Sequence, residues 1–219
     1  MSENVTYDVG MVGTTRPSLT RDRIIEVAVA YADEHGVEDL SMRKLGAELG
    51  VEAMSLYNHV ENKDDMLDGM IDLVFSAIPI PEGDLDWKDH LRKLGEGTMT
   101  VFGRHTWIIH LCMTRGMSGL GALRFMDHVL GVLTRAGFDD EDAHHAWQMM
   151  ASHTLGYALQ SSVGVTEKDH AEFEMMLPRL TREVPNVARM APFLINCSWG
   201  DEYMFGLEII LEGLQARLN

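Results

Sequence analysis

Apolar positions recur at helical spacing along most of the chain, and the breaks fall on residues that stop helices. Between Leu19 and Gly36, the residues Ile24, Val27, Ala28 and Tyr31 form one stripe, as one face of an amphipathic helix does. Thr20 is a good N-cap, and Leu19 with Ile24 is placed as a hydrophobic staple. From Ser41 to Lys63 the pattern shortens to two small helices about a tight turn. Ser41 caps the first, in which Met42, Leu45 and Leu49 share a face. Gly50 then stands where a helix closes in the left-handed conformation, which glycine enters without a Cβ clash. The second small helix is predicted over residues 52–60, with Leu56 and Val60 turned inward.

Asn62 caps a fourth helix running to about Ala77. Asp64 and Asp65 suit the positive end of its dipole. Met66, Leu67, Met70, Ile71, Leu73 and Val74 make it apolar on more than one side, as a helix sandwiched between two packed units should be. Pro79 and Pro81 then break the pattern. Further helices are predicted over 87–104, 105–113, 120–136, 139–162, 167–181 and 201–218. No convincing strand intervenes, so the expected fold is all-α. A tail over 1–18 precedes a three-helix unit at 19–65 and a helical bundle at 66–219, with the fourth helix as the connection. The tail has no helical period and is expected to be flexible, with order on DNA through an Arg16–phosphate contact as the lesser alternative.

Composition narrows the setting. The 219 residues can bury a sizeable core. No segment approaches the roughly 20 uninterrupted apolar residues of a membrane span, and no secretory signal pattern opens the chain. A cytoplasmic location without membrane attachment is expected. Cys112 and Cys197 lie far apart and read as buried reduced thiols. The net charge of −16 opposes the basic footprint usual for a DNA binder. Local potential is what matters, and Arg21, Arg23, Arg43, Lys44 and Lys63 can gather on one side.

The outer face of the second small helix carries Ala53, Met54, Ser55, Tyr57, Asn58 and His59. It is short, mixed and rich in hydrogen-bonding groups, as a surface entering a major groove is. Ser55 and Asn58 suit base edges, while Ala53 and Met54 suit a thymine methyl. Tyr57, His59 and Lys63 suit phosphates, and Arg43 can reach a guanine. The run Leu49-Gly50-Val51-Glu52, then Ser55-Leu56-Tyr57-Asn58-His59-Val60, then Asn62-Lys63 resembles the recognition hairpin of the TetR family of bacterial repressors. The resemblance is close over residues 19–75 and looser in the last helix, from Tyr203. It implies the same DNA-contacting roles at Arg43, Ala53, Met54, Ser55, Tyr57, Asn58, His59 and Lys63. Ala53, Met54 and Asn58 fall where the family varies, so no operator sequence carries over.

In the second half, Trp107, His110, Met113, Met117, Phe125, Met126, Trp147, Met150, His153, Thr154 and Tyr157 combine large apolar surface with a few polar tips. Small-molecule pockets have that make-up, although at helical spacing such residues are also ordinary core. An inducer site somewhere in this half is what the resemblance implies. No two of the ten histidines are three or four residues apart, so no single-helix metal site is predicted. No nucleotide loop or nucleophile elbow is present either, and neither a cofactor nor catalysis is expected. The resulting expectation is a homodimeric repressor of a palindromic operator in double-stranded DNA, released by a small apolar or aromatic effector. The long helix at 139–162 and the last one, with Tyr203, Leu207, Ile210, Leu211 and Leu214, are the subunit interface that the resemblance supports, while their spacing alone equally allows burial within one chain. A helical small-molecule carrier without operator binding is the alternative.

Overall fold

A computed structural model describes residues 18–115, 119–164, 166–195 and 198–218. All regular structure among them is helical, in eleven helices. The expected all-α fold is therefore observed. Most of the 1–18 tail with Arg16, together with Met117 and Cys197, lies outside the described residues.

The first helix, α1 (Arg21–His35), starts at Thr20, whose hydroxyl accepts from the Arg23 amide at 3.2 Å, and ends at Gly36 with φ 82°. Ser41 caps α2 (Met42–Leu49) in the same way, and Gly50 closes it at φ 64°, ψ 38°. Leu40, just before this cap, and Leu45 are both buried, as a hydrophobic staple across the start of α2 requires. The next helix, α3 (Ala53–Leu56), is shorter than the predicted 52–60. The Asn58 amide reaches back to Ser55 O and the His59 amide to Leu56 O. These i→i+3 bonds tighten residues 57–59 into turns. Glu52 offers no side-chain cap to compensate. Leu56 and Val60 are nevertheless buried, at 0% and 2% exposure.

The connecting helix α4 (Lys63–Ser76) packs on α1 on one side and on α7 (Leu120–Ala136) on the other. Its buried residues include Met66, Leu67, Met70, Ile71, Val74 and Phe75, whereas Leu73, counted with them in the sequence pattern, is exposed. The bundle is completed by α5 (Trp87–Arg104), α6 (Trp107–Arg115), α8 (Asp140–Val163) and α11 (Trp199–Gln215). Asp86 and Asp139 cap α5 and α8. The Arg92 guanidinium on α5 grips the Glu208 carboxylate on α11, and Lys88 reaches Glu212 at 3.0 Å. Tyr203, Leu207, Leu211 and Leu214 of α11 are buried inside the chain. Of the two readings that their spacing allowed, burial within the chain is the one observed for these four, and the exposed face of α11 carries Phe205 and Ile209.

Two helices stand apart. A reciprocal capping box of Thr166 and Asp169 starts α9 (Glu167–Glu183). Pro185 then opens α10 (Pro185–Ile195), a helix absent from the sequence expectation. These two pack on one another. Among the described residues α9 buries no side chain and α10 buries only Ala191.

Candidate nucleic-acid interface and effector cavity

The hairpin is held from behind by polar contacts that leave its front free. Tyr31 on α1 donates its hydroxyl to Asp39 at 2.6 Å, and the Lys44 ammonium of α2 pairs with the same carboxylate. These two donors hold the Asp39 carboxyl below the usual carboxylate range, Lys44 first and Tyr31 second. Gly46 lets the two small helices close: a Cβ there would lie 2.9 Å from Val51 O and 3.2 Å from the Ala53 amide nitrogen. Val51 in turn donates to Gly46 O at 2.8 Å.

On the front, Met54 is 74% exposed and Tyr57 43%. Asn58, His59 and Arg43 are also exposed, while Ala53 and Ser55 are half-buried. Lys63 is half-buried too, and its ammonium donates to Leu40 O at 2.7 Å. It thereby ties the start of α4 to the loop before α2, with two further N–H donors left over. Of the basic groups expected to gather here, Arg21 is bound to Asp65 at 2.7 Å and Lys44 to Asp39. Arg23 and Arg43 form no ion pair among the described residues, so the cation supply of this face is smaller than the sequence suggested.

The connection between this unit and the bundle is polar at both ends of α6. Asp33 of α1 accepts from Trp107 Nε1 at 2.6 Å and pairs with His105 Nδ1 at 2.8 Å. Arg115 at the other end of α6 reaches Asp64 at 2.6 Å and Asp68 at 3.0 Å, both on α4. Asp72, two turns after Asp64 on α4, accepts from the Gly121 amide of α7 at 2.8 Å.

Inside the bundle lies a cavity of about 100 Å3. Four of the predicted ligand residues line it: Phe125 of α7 and Trp147, Met150 and Thr154 of α8. The others do not. Trp107 is buried, but its indole serves Asp33. His110 and Met113 face outward, Met126 packs on the core edge, and His153 and Tyr157 stand behind Tyr203. Sequence reasoning missed Phe75 on α4 and the α5 wall of Leu91, Leu94, Gly95, Thr98 and Phe102. Cys112, Val129, Ala151, Leu155, Tyr203 and Leu207 complete the lining. A glycine within an otherwise regular apolar stripe, at Gly95, was the one available signal. Burial pushes the Cys112 thiol up to about 11, so it contributes as a small apolar group.

A second cluster crosses from α5 to α7. His90 Nε2 and His128 Nε2 lie 2.8 Å apart. Burial holds both imidazoles below their ordinary value, helped at His90 by His128 and Arg135 and at His128 by Arg135. Among the described residues no three His, Cys, Asp or Glu side chains gather as a metal site would need, and no helix is long and apolar enough to cross a membrane.

Comparisons with known proteins agree in both halves. Residues 24–70 match the model of "Bacterial regulatory proteins, tetR family", and residues 79–218 match "Tetracyclin repressor-like, C-terminal domain". The chain is 32% identical over 217 residues to the transcriptional repressor DrrR1 of Streptomyces coeruleorubidus, covering 92% of this chain and 79% of that one. It is 25% identical over 210 residues to the class D tetracycline repressor of Escherichia coli, covering 92% and 91%. The crystal structure of ActR from Streptomyces coelicolor in complex with actinorhodin superposes with a TM-score of 0.80 at 26% identity, covering 92% of this chain and 99% of ActR.

Proposed function

Because this chain belongs to the TetR family of bacterial regulatory proteins, we propose that it is a repressor that acts as a homodimer on a palindromic operator and leaves it when a small apolar or aromatic effector binds. The observation that carries this reading is the front of α3. Met54, Tyr57, Asn58 and His59 are exposed on a hairpin whose caps and core need none of them. Arg43, Ala53, Ser55 and Lys63 flank that surface. Side chains in such a position read base edges and set phosphate register. One hairpin makes few contacts, so a two-fold partner placing a second α3 one helical turn along the duplex supplies the remaining affinity.

The effector half of the proposal rests on the cavity and on relatives whose known states include a bound small molecule, as in ActR with actinorhodin. The lining reaches α4 through Phe75 and α6 through Cys112, and α4 and α6 are the helices tied to the DNA-facing unit. An effector that fits one arrangement of these helices better than another shifts DNA affinity by its differential binding energy, typically about 1–3 kcal/mol.

Selection of duplexes from a random-sequence DNA library by the purified protein tests the reading. Enrichment of a palindrome, followed by its release on addition of small-molecule extracts, is the expected result. No enriched sequence at low or moderate salt refutes operator binding and leaves a helical carrier of small molecules.

A further inference from the structure

The cavity has one polar end, and it is built with care for a single ring. Tyr203 of α11 is 2% exposed, and its hydroxyl lies 3.2 Å from the Thr154 hydroxyl of α8. Its ring is stacked on His153, with centroids 5.0 Å apart and planes inclined by 15°, and meets Tyr157 edge-on at 6.1 Å. His153 is fixed in turn, because its Nε2 lies 2.9 Å from the Tyr203 carbonyl oxygen. Two glycines make the room. A Cβ at Gly95 would stand 2.6 Å from the Tyr203 hydroxyl, and a Cβ at Gly206 would stand 2.3 Å from the His153 ring.

Counting protons then says what the polar end lacks. Two hydroxyls own two O–H donors, and the bond between them uses one. The third hydroxyl of the lining, Thr98, donates to Leu94 O at 2.8 Å. One O–H of the Tyr203–Thr154 pair is therefore left to face the cavity. Burial pushes the Tyr203 phenol up from its ordinary value, so it stays protonated at neutral pH. No charged side chain lines the cavity, and an ion entering it would lose its hydration without a counter-charge.

We infer that the Tyr203–Thr154 hydroxyl pair is the specificity-determining element of the cavity, and that it selects an uncharged aromatic molecule with a hydrogen-bond acceptor, such as a carbonyl oxygen, at one end. This rests on the proposal that the cavity is the effector site. His153 acts as a positioning residue for the Tyr203 ring.

The test uses three matched single-ring probes on the full chain, the smallest aromatic molecules that differ only in the group at issue. Acetophenone has the carbonyl, ethylbenzene lacks it, and benzoate carries a charge. Titration calorimetry should show acetophenone binding about five- to tenfold more tightly than ethylbenzene, the value of one buried hydrogen bond, and no benzoate binding. Either hydroxyl alone keeps one O–H unspent, so Tyr203→Phe and Thr154→Val taken singly should each retain the advantage. The double substitution, which removes both donors, should abolish it while ethylbenzene affinity is kept. Retained ethylbenzene binding by the double variant shows that it is folded. An acetophenone advantage that survives loss of both hydroxyls, benzoate binding as tightly as acetophenone, or no binding by any probe to the unsubstituted chain overturns the inference. Operator selection on the same preparation separates this failure from failure of the repressor reading, because DNA binding without probe binding leaves the first standing.

Discussion

Removing the carboxylate at Asp33 tests how firmly the DNA-facing unit is fastened to the bundle. Asp33 Oδ1 is the acceptor for both Trp107 Nε1 and His105 Nδ1. The Asp33→Ala chain leaves a buried indole N–H, in a residue only 6% exposed, without a partner. A donor left unsatisfied in that way costs about 1–3 kcal/mol. The His105 side is wetter, with side-chain exposures of 21% and 30% across the pair, and adds at most a few tenths, as exposed ion pairs do. The expected loss is about 2 kcal/mol, or roughly 4–8 °C in Tm for a chain of this size. Asp33→Asn keeps an acceptor in place and should lose less than half as much. Urea unfolding followed by tryptophan fluorescence measures all three proteins, with exposed Glu34→Ala as control. An Asp33→Ala loss no larger than that control means that water reaches the indole and that this fork does not fasten the two units.

Three further outcomes are expected. Gly46→Ala should lower stability by about 1 kcal/mol, because overpacking against Val51 O and Ala53 at about 1–3 kcal/mol exceeds the helix-propensity gain of about 1 kcal/mol; the urea midpoint reads it. Tyr57→Ala combined with His59→Ala should weaken operator affinity about tenfold or more, equally across operator variants, while Asn58→Ala or Met54→Ala should change the preferred sequence; gel-shift titration over a panel of duplexes distinguishes them. The third concerns pH. The imidazoles of His90 and His128 are held below the ordinary value of 6.5 in the folded chain. Unfolding therefore takes up protons, and their contribution to stability is full above 6.5 and lost as pH falls through the lower folded values. Replacing His128 by Asn should flatten the decline in stability between pH 7 and 5, as measured by urea midpoints across that range.

The features legible in the sequence are those decided locally. Ser41, Gly50 and Asn62 act within a turn or two of themselves, so the hairpin and the start of α4 could be placed from residue type and spacing. The end of α3 could not, because whether 57–59 continue as helix depends on how Val60 and Lys63 are drawn onto the core and Leu40. Proline usually interrupts a helix, yet Pro185 occupies the first helical position of α10, where its missing N–H is no loss. The cavity defeated spacing for another reason. Leu91, Leu94 and Phe102 look like any core stripe, and which part of a buried face meets a void depends on five other helices. Size misled at Trp107, chosen as a ligand contact although its polar edge is claimed by Asp33. For α11, spacing found the buried face but could not say whether a second chain or the same chain buries it.

The hairpin of α9 and α10 has a consequence for how the stability of this protein is read. A segment of two helices that buries one alanine shares almost none of the apolar contacts that make the rest of the chain unfold as a unit. Its amides will exchange through local openings far smaller than global unfolding. A single free energy of unfolding, fitted as if the chain had two states, describes the bundle and misses the hairpin. Helicity measured by circular dichroism will begin to fall before tryptophan fluorescence changes at Trp107 and Trp147, and the gap between the two curves measures how loosely that arm is joined to the cooperative whole.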